Sequence, residues 1–237
     1  MDPIVDYRST QSKSVALSRF MSRVYGWMTF GLLITAVVSY VMGNDPAIMQ
    51  MVMANRGLFY LLLFVQLGLV FALSAGISRM SVGVVTFLFL LYSFITGIVF
   101  STLFLQYSIT SLGQTFGVTA GAFAGLALYG TVTKRDLSAM GSFMVMGLWG
   151  VMIALLVNFF LKSSALDFAV SALGVVIFSG LTAWDAQKIR NMGIAGDMDS
   201  DAGHKAAIYG ALNLYLDFIN LFIFLLRFLG GNRRRDY

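Results

Sequence analysis

The stretch NLYLDFINLFIFLLRF (213–228) sets one carboxylate, Asp217, among leucines, phenylalanines and isoleucines. An acid near the centre of a bilayer costs roughly 2.5–3.5 kcal/mol on insertion scales, so something must offset it. Asn213 lies about one helical turn before it and Asn220 about one turn after, so the three share a face of a helix. Such a stripe should face a bundle interior or a water-filled cavity. Two readings are open: a satisfied network between helices, or a site that handles protons or cations.

A second acid, Asp185, stands in GLTAWDAQKIR with Thr182 three residues before it and Lys188 three after. Alone, Asp185 and Lys188 read equally well as a local ion pair at the membrane surface, worth a few tenths of a kcal/mol. Arg79 in ALSAGISRMS reads alone as an arginine snorkelling from an apolar helix. Near either aspartate it becomes a counter-charge that can engage or let go.

Other chemistries are excluded. The chain has no cysteine, one histidine (His204), and no glutamate. Thiolate chemistry, multi-histidine metal sites and zinc-protease motifs are therefore absent. The loop DMDSDAG places Asp197, Asp199 and Asp201 like the first ligands of an EF-hand. The match then fails, because Ala202 stands where glycine is needed and Ile208 where a bidentate glutamate is needed. It reads as a solvated acidic loop.

The elements that position these groups follow from composition. Of 237 residues, 58% are hydrophobic and 11% charged, with mean hydropathy +0.81. A soluble domain needs more polar surface than this. Runs of about 20 apolar residues fall at roughly 24–42, 58–78, 82–105, 110–132, 140–161, 166–187 and 206–229. The expected fold is an all-α membrane protein, a seven-helix bundle over residues 24–229. A basic cytoplasmic arm (1–23) precedes it and a basic tail (230–237) follows. The first apolar run, roughly 19 residues, exceeds a signal peptide's ~7–15 and reads as a retained span. Connections are expected to be short, except between the sixth and seventh spans.

Basic residues orient the bundle. Arg8, Lys13, Arg19 and Arg23 precede the first span; Arg79, Lys134, Arg135, Lys188, Arg190 and Lys205 follow the second, fourth and sixth. Only Arg56 and Lys162 lie in the opposite loops, which predicts a cytoplasmic N-terminus. The tail, with Arg233, Arg234 and Arg235, runs against this pattern. Either the last segment re-enters or late charges are overruled, and full spanning fits its length. The net charge of +5 reports cytoplasmic loops, and no nucleic-acid partner is expected. Gly117, Gly121 and Gly125 form a row on the fourth span that invites close helix approach, within one chain or, as the lesser reading, between copies.

At TAWDAQKI and LNLYLDFINLFIFLLRFL the chain resembles the transmembrane Bax-inhibitor-motif family in its bacterial form, over nearly its whole length. The resemblance implies a bundle with the seventh helix in its middle and a pH-sensitive calcium leak, with suppression of cell death among eukaryotic relatives. It implies that Asp185 and Asp217 are the family's paired aspartates. It also makes Arg79 the arginine that latches the closed pore through the sixth-span aspartate. Two carboxylates in one low-dielectric cavity cannot both ionise cheaply, so such a pair titrates as a unit. It can then respond where an isolated aspartate, near 3.9, does not.

Calcium prefers several hard oxygen ligands. Asp185 and Asp217, with Asn213, Asn220 and Thr182 lining the path, supply oxygen only. The ion is expected as a permeant or bound species, with no cofactor, in a monomer surrounded by lipid. The expected lack of a signal peptide and the loop charges fit a bacterial inner membrane, and an organelle membrane would carry the same pattern.

Rival readings remain. A non-conducting regulator binding membrane proteins or proteases would use the same aspartates as structural groups. An intramembrane aspartyl protease needs Gly-x-Gly-Asp around its second acid, whereas Leu214, Tyr215 and Leu216 crowd Asp217. A retinal protein needs a late-helix lysine, and none lies between Ala206 and Leu229. No enzymatic activity is expected.

Overall fold

The computed structural model describes residues 3–195 and 199–229. The described residues form α1 (Pro3–Gly43), α2 (Pro46–Ala54), α3 (Arg56–Gly76), α4 (Val82–Ser101), α5 (Ile109–Val132), α6 (Ser138–Leu161), α7 (Ser164–Ala195) and α8 (Asp201–Leu229). Short 3-10 turns at Ile77–Arg79 and Thr102–Leu105 follow α3 and α4. All helices but α2 contribute a span long and apolar enough to cross a membrane. The protein is an all-α membrane protein.

Local chemistry sets the boundaries. Asp45 opens α2 by accepting from the Ala47 and Ile48 N–H groups at 2.9 and 3.3 Å, with Pro46 in the first turn. Asn55, Ser81 and Ser108 cap α3, α4 and α5 in the same manner, satisfying donors that lipid could not. Lys162 closes α6 in the left-handed region at φ 51°, while Asn158 Oδ1 accepts from the Ser163 N–H at 2.9 Å. The sequence reading missed α2. The connection after the first span contains a capped nine-residue helix, and its Asp-Pro start was a legible signal.

The chain divides into two compact units: 1–105 with 189–215, and 106–188 with 216–237. In the first, α1 and α4 approach closely at glycines. A Cβ on Gly31 would lie 2.7 Å from Phe89, and one on Gly97 2.7 Å from Val38. Phe20, Val24, Met28 and Leu32 give α1 a buried stripe at four-residue spacing. The first half of α8 joins this unit through Tyr215. Its hydroxyl lies 2.6 Å from Thr35 Oγ1, and its ring meets Phe89 and Tyr92 edge-on. Thr35 spends its single proton on the Ser93 carbonyl at 2.8 Å, so Tyr215 is the donor to Thr35.

In the second unit, α7 has α5, α6 and the end of α8 as neighbours. A core of Val151, Val170, Ile177, Phe178, Leu181, Leu221, Phe224 and Leu225 fills it. Phe178 stacks on Phe224 at 5.6 Å, and that ring occupies the space a side chain on Gly174 would need. Asp167 in the first turn of α7 pairs with Arg227 in the last turn of α8. Each charge suits its helix end.

The last span is the most enclosed, with 61% of its apolar window buried against 6% for the α3 and α6 spans. Its neighbours, rather than lipid, therefore solvate its polar groups.

Candidate functional site

The site lies in the second unit, where the last turns of α7 in that unit meet α8. Asp217 is 5% exposed, and the charged groups acting on it are Asp185 and Lys188. The Asp185 carboxyl is within hydrogen-bonding reach of it. Yet Asp217 Oδ2 and Asp185 Oδ1 are both buried without a directed hydrogen bond. Two carboxylates are two acceptors, so nothing can bond them to each other until one carries a proton. Lys188 Nζ stands 2.7 Å from Asp185 Oδ1. This is an ion pair by distance whose angles fall outside hydrogen-bond geometry, which is why that oxygen still lacks a directed donor. One lysine therefore faces two acids.

Each surrounding residue of TAWDAQKI has a place. Thr182 is buried and its hydroxyl donates to the Phe178 carbonyl at 2.7 Å, leaving only its oxygen lone pairs for a ligand. The Ala183 carbonyl presses on α5, where a Cβ at Gly130 would fall 2.0 Å from it. Trp184 covers Gly141 of α6 equally tightly, at 2.1 Å from such a Cβ. Lys188 Nζ lies 4.5 Å from the centre of the Trp184 ring, so a cation–π contact holds its stem in place. Gln187, 6% exposed, accepts from the Leu137 N–H at 2.8 Å and donates to the Arg135 carbonyl at 2.7 Å.

Of the expected lining groups, Asn220 is half-buried and donates to the Leu216 carbonyl of its own helix at 2.8 Å. Its side-chain oxygen is the part left for a cation. Asn213 is half-buried one turn before Asp217 and belongs to the first unit. Arg79 also belongs to the first unit and is exposed at the end of the 3-10 turn after α3. Lys205 Nζ donates to the carbonyls flanking it, Ser78 and Met80, at 3.4 and 3.3 Å.

The glycine row differs from expectation. Among the described residues nothing lies within 4 Å of a Cβ on Gly117, Gly121 or Gly125, so none receives a described helix of its own chain. Gly130, five residues beyond Gly125 and off that row, takes the close contact with α7. Spacing reveals a small-residue row but not the direction it points.

In the acidic loop, Asp199 pairs with Arg23 at 3.0 Å and Asp201 opens α8, while Asp197 lies outside the described residues, as do Arg233, Arg234 and Arg235. No three acidic or histidine side chains converge among the described residues. Any cation here would keep much of its water shell.

Sequence reading passed over Gln187, Trp184 and the Asp167–Arg227 pair. Gln187 had a signal, an amide two residues after Asp185 and directly before Lys188. The other two had none beyond residue type.

Seven apolar spans, two of which carry a buried carboxyl pair, define a polytopic membrane protein. A family model described as "Inhibitor of apoptosis-promoting Bax1" matches residues 17–234, and the chain belongs to that family. Inner membrane protein YbhL of Escherichia coli (strain K12) is 50% identical over 218 residues, covering 92% of this chain and 93% of that protein. A protein of Borreliella burgdorferi is 44% identical over 233 residues, 98% of this chain and 100% of its own length. YrjE of Lactococcus lactis is 40% identical over 230 residues, covering 93% of this chain and 95% of its own.

Proposed function

We propose that this protein is a pH-sensitive calcium leak channel of a bacterial inner membrane, gated by the proton shared between Asp185 and Asp217. One observation carries the reading: two buried carboxyl oxygens, on α7 and α8, lie without a directed hydrogen bond, with the Lys188 ammonium 2.7 Å from the one on Asp185. With a proton between them they form a neutral-plus-anion pair held by Lys188. Without it, two anions face one lysine, and a hard cation becomes the better partner. The equilibrium between these states biases a closed and an open arrangement.

Arg79 is assigned the latch. Because Lys188 already stands on Asp185, latching requires the guanidinium to replace or reinforce that lysine. Asn213, Asn220 and Thr182 supply neutral oxygens along the path. The test is calcium flux in proteoliposomes across a pH series. Asp217→Asn is expected to flatten the pH profile, and an unchanged profile in that variant sinks the reading.

The family's description favours a second reading, a non-conducting membrane regulator whose aspartates hold the bundle together. Thermal melting separates the two. Removing one member of a structural buried pair costs about 3–5 kcal/mol, whereas a gating aspartate can be replaced with little loss.

A further inference from the structure

We infer that Gln187 is a positioning residue. It staples the connection between α5 and α6 to the turn of α7 that carries Asp185 and Lys188, so this connection sets how the aspartate pair takes up its proton. The inference rests on the gating reading above for its consequence in flux, but its geometry stands alone.

Both halves of the Gln187 amide are spent on one short segment, the Leu137 N–H at 2.8 Å and the Arg135 carbonyl at 2.7 Å. The residue is 6% exposed, and its bond to Leu137 is buried from water while that to Arg135 is part-buried. The same turn is fixed on either side of that segment. The Ala183 carbonyl fills the space over Gly130 at the end of α5, and Trp184 fills that over Gly141 at the start of α6. Three consecutive parts of one hairpin therefore hold residues 183–187. Asp185 sits inside that hold, and Lys188 reaches it across the Trp184 face.

The charged groups bearing on the pair are few. Lys188 comes from its own helix and Asp217 from α8. The stapled connection brings Lys134, Arg135 and Asp136, all exposed. The charged groups that act on Asp217 are Asp185 and Lys188, both of α7. The staple thus works through geometry, by fixing the angle at which Asp185 faces Asp217 and Lys188.

The test uses Gln187→Met, which keeps length and removes both hydrogen bonds. Tyr215→Phe is the control, since it also deletes a buried hydrogen bond but in the other unit. The primary readout is the pH midpoint of Trp184 emission in the full-length protein carrying Trp27→Phe and Trp149→Phe, which leaves Trp184 the only indole. The second readout is calcium flux against pH.

Gln187→Met is expected to move the emission midpoint by about 0.5 pH unit or more, with Tyr215→Phe leaving it in place at a similar loss of melting temperature. Gln187→Asn, which keeps the amide but falls a methylene short, should give a smaller shift and substitutes if the Met variant does not fold. Superimposable titrations of wild type and the 187 variants, or an equal shift in Tyr215→Phe, overturn the inference. A shifted emission midpoint in protein that carries no calcium at any pH supports the staple and removes the channel reading alone.

Discussion

Lys188 stands 2.7 Å from Asp185 Oδ1, yet over a third of its side chain is exposed, at 36%. Such a pair adds about 0.2–1 kcal/mol to stability at most. Lys188→Met should therefore melt close to wild type. Its flux–pH profile should move toward higher pH, because a proton is held more readily once the neighbouring positive charge is gone. Tyr215→Phe should do the opposite, costing about 1 kcal/mol in thermal or chemical unfolding with the pH profile untouched. A third residue bounds the origin of any pH response. The Ser138 hydroxyl and N–H hold the exposed Asp136 carboxyl below the usual range. Its support for the connection is complete above an ordinary aspartate's ~3.9 and fades only as pH falls through that lower value. A response near neutrality thus cannot come from Asp136. The two aspartates were legible in the sequence because an acid in an apolar run is costly. The counter-ion was legible only as one of two basic candidates, since spacing along a helix says which residues neighbour Asp185 but not which cation from elsewhere reaches it.

At the scale of elements, two glycine substitutions on α5 should part company. Gly130→Ala places a methyl 2.0 Å from a backbone carbonyl that cannot swing aside, so α5 and α7 must separate, with a marked drop in melting temperature. Gly121→Ala meets open space and removes a flexible residue from a helix interior, a gain of roughly 0.5–1 kcal/mol. A melting series of the two variants checks both. If Gly121→Ala instead destabilises, the exposed row meets a second copy, and sedimentation in detergent would show it. All seven spans could be read from hydropathy, because lipid demands continuous apolar length. The short α2 showed only in its Asp45-Pro46 start, and the partner of each glycine could not be read, since it depends on contacts that repeat spacing does not encode.

For the whole molecule, loop charge predicts the orientation. Phosphatase and fluorescent reporters fused after residue 237 should report the side opposite the N-terminus; a cytoplasmic reading at both ends would make the last segment re-entrant. The division of α8 between two units was not visible in the sequence, where residues 206–229 form one unbroken apolar run. It has a consequence for synthesis. The ribosome delivers this helix after the other six spans, yet residues 201–215 complete one unit and 216–229 the other. A chain halted at residue 200 would leave six spans in the bilayer with both units open. Quality-control proteases, given such a truncated chain, should clear it far faster than the finished protein.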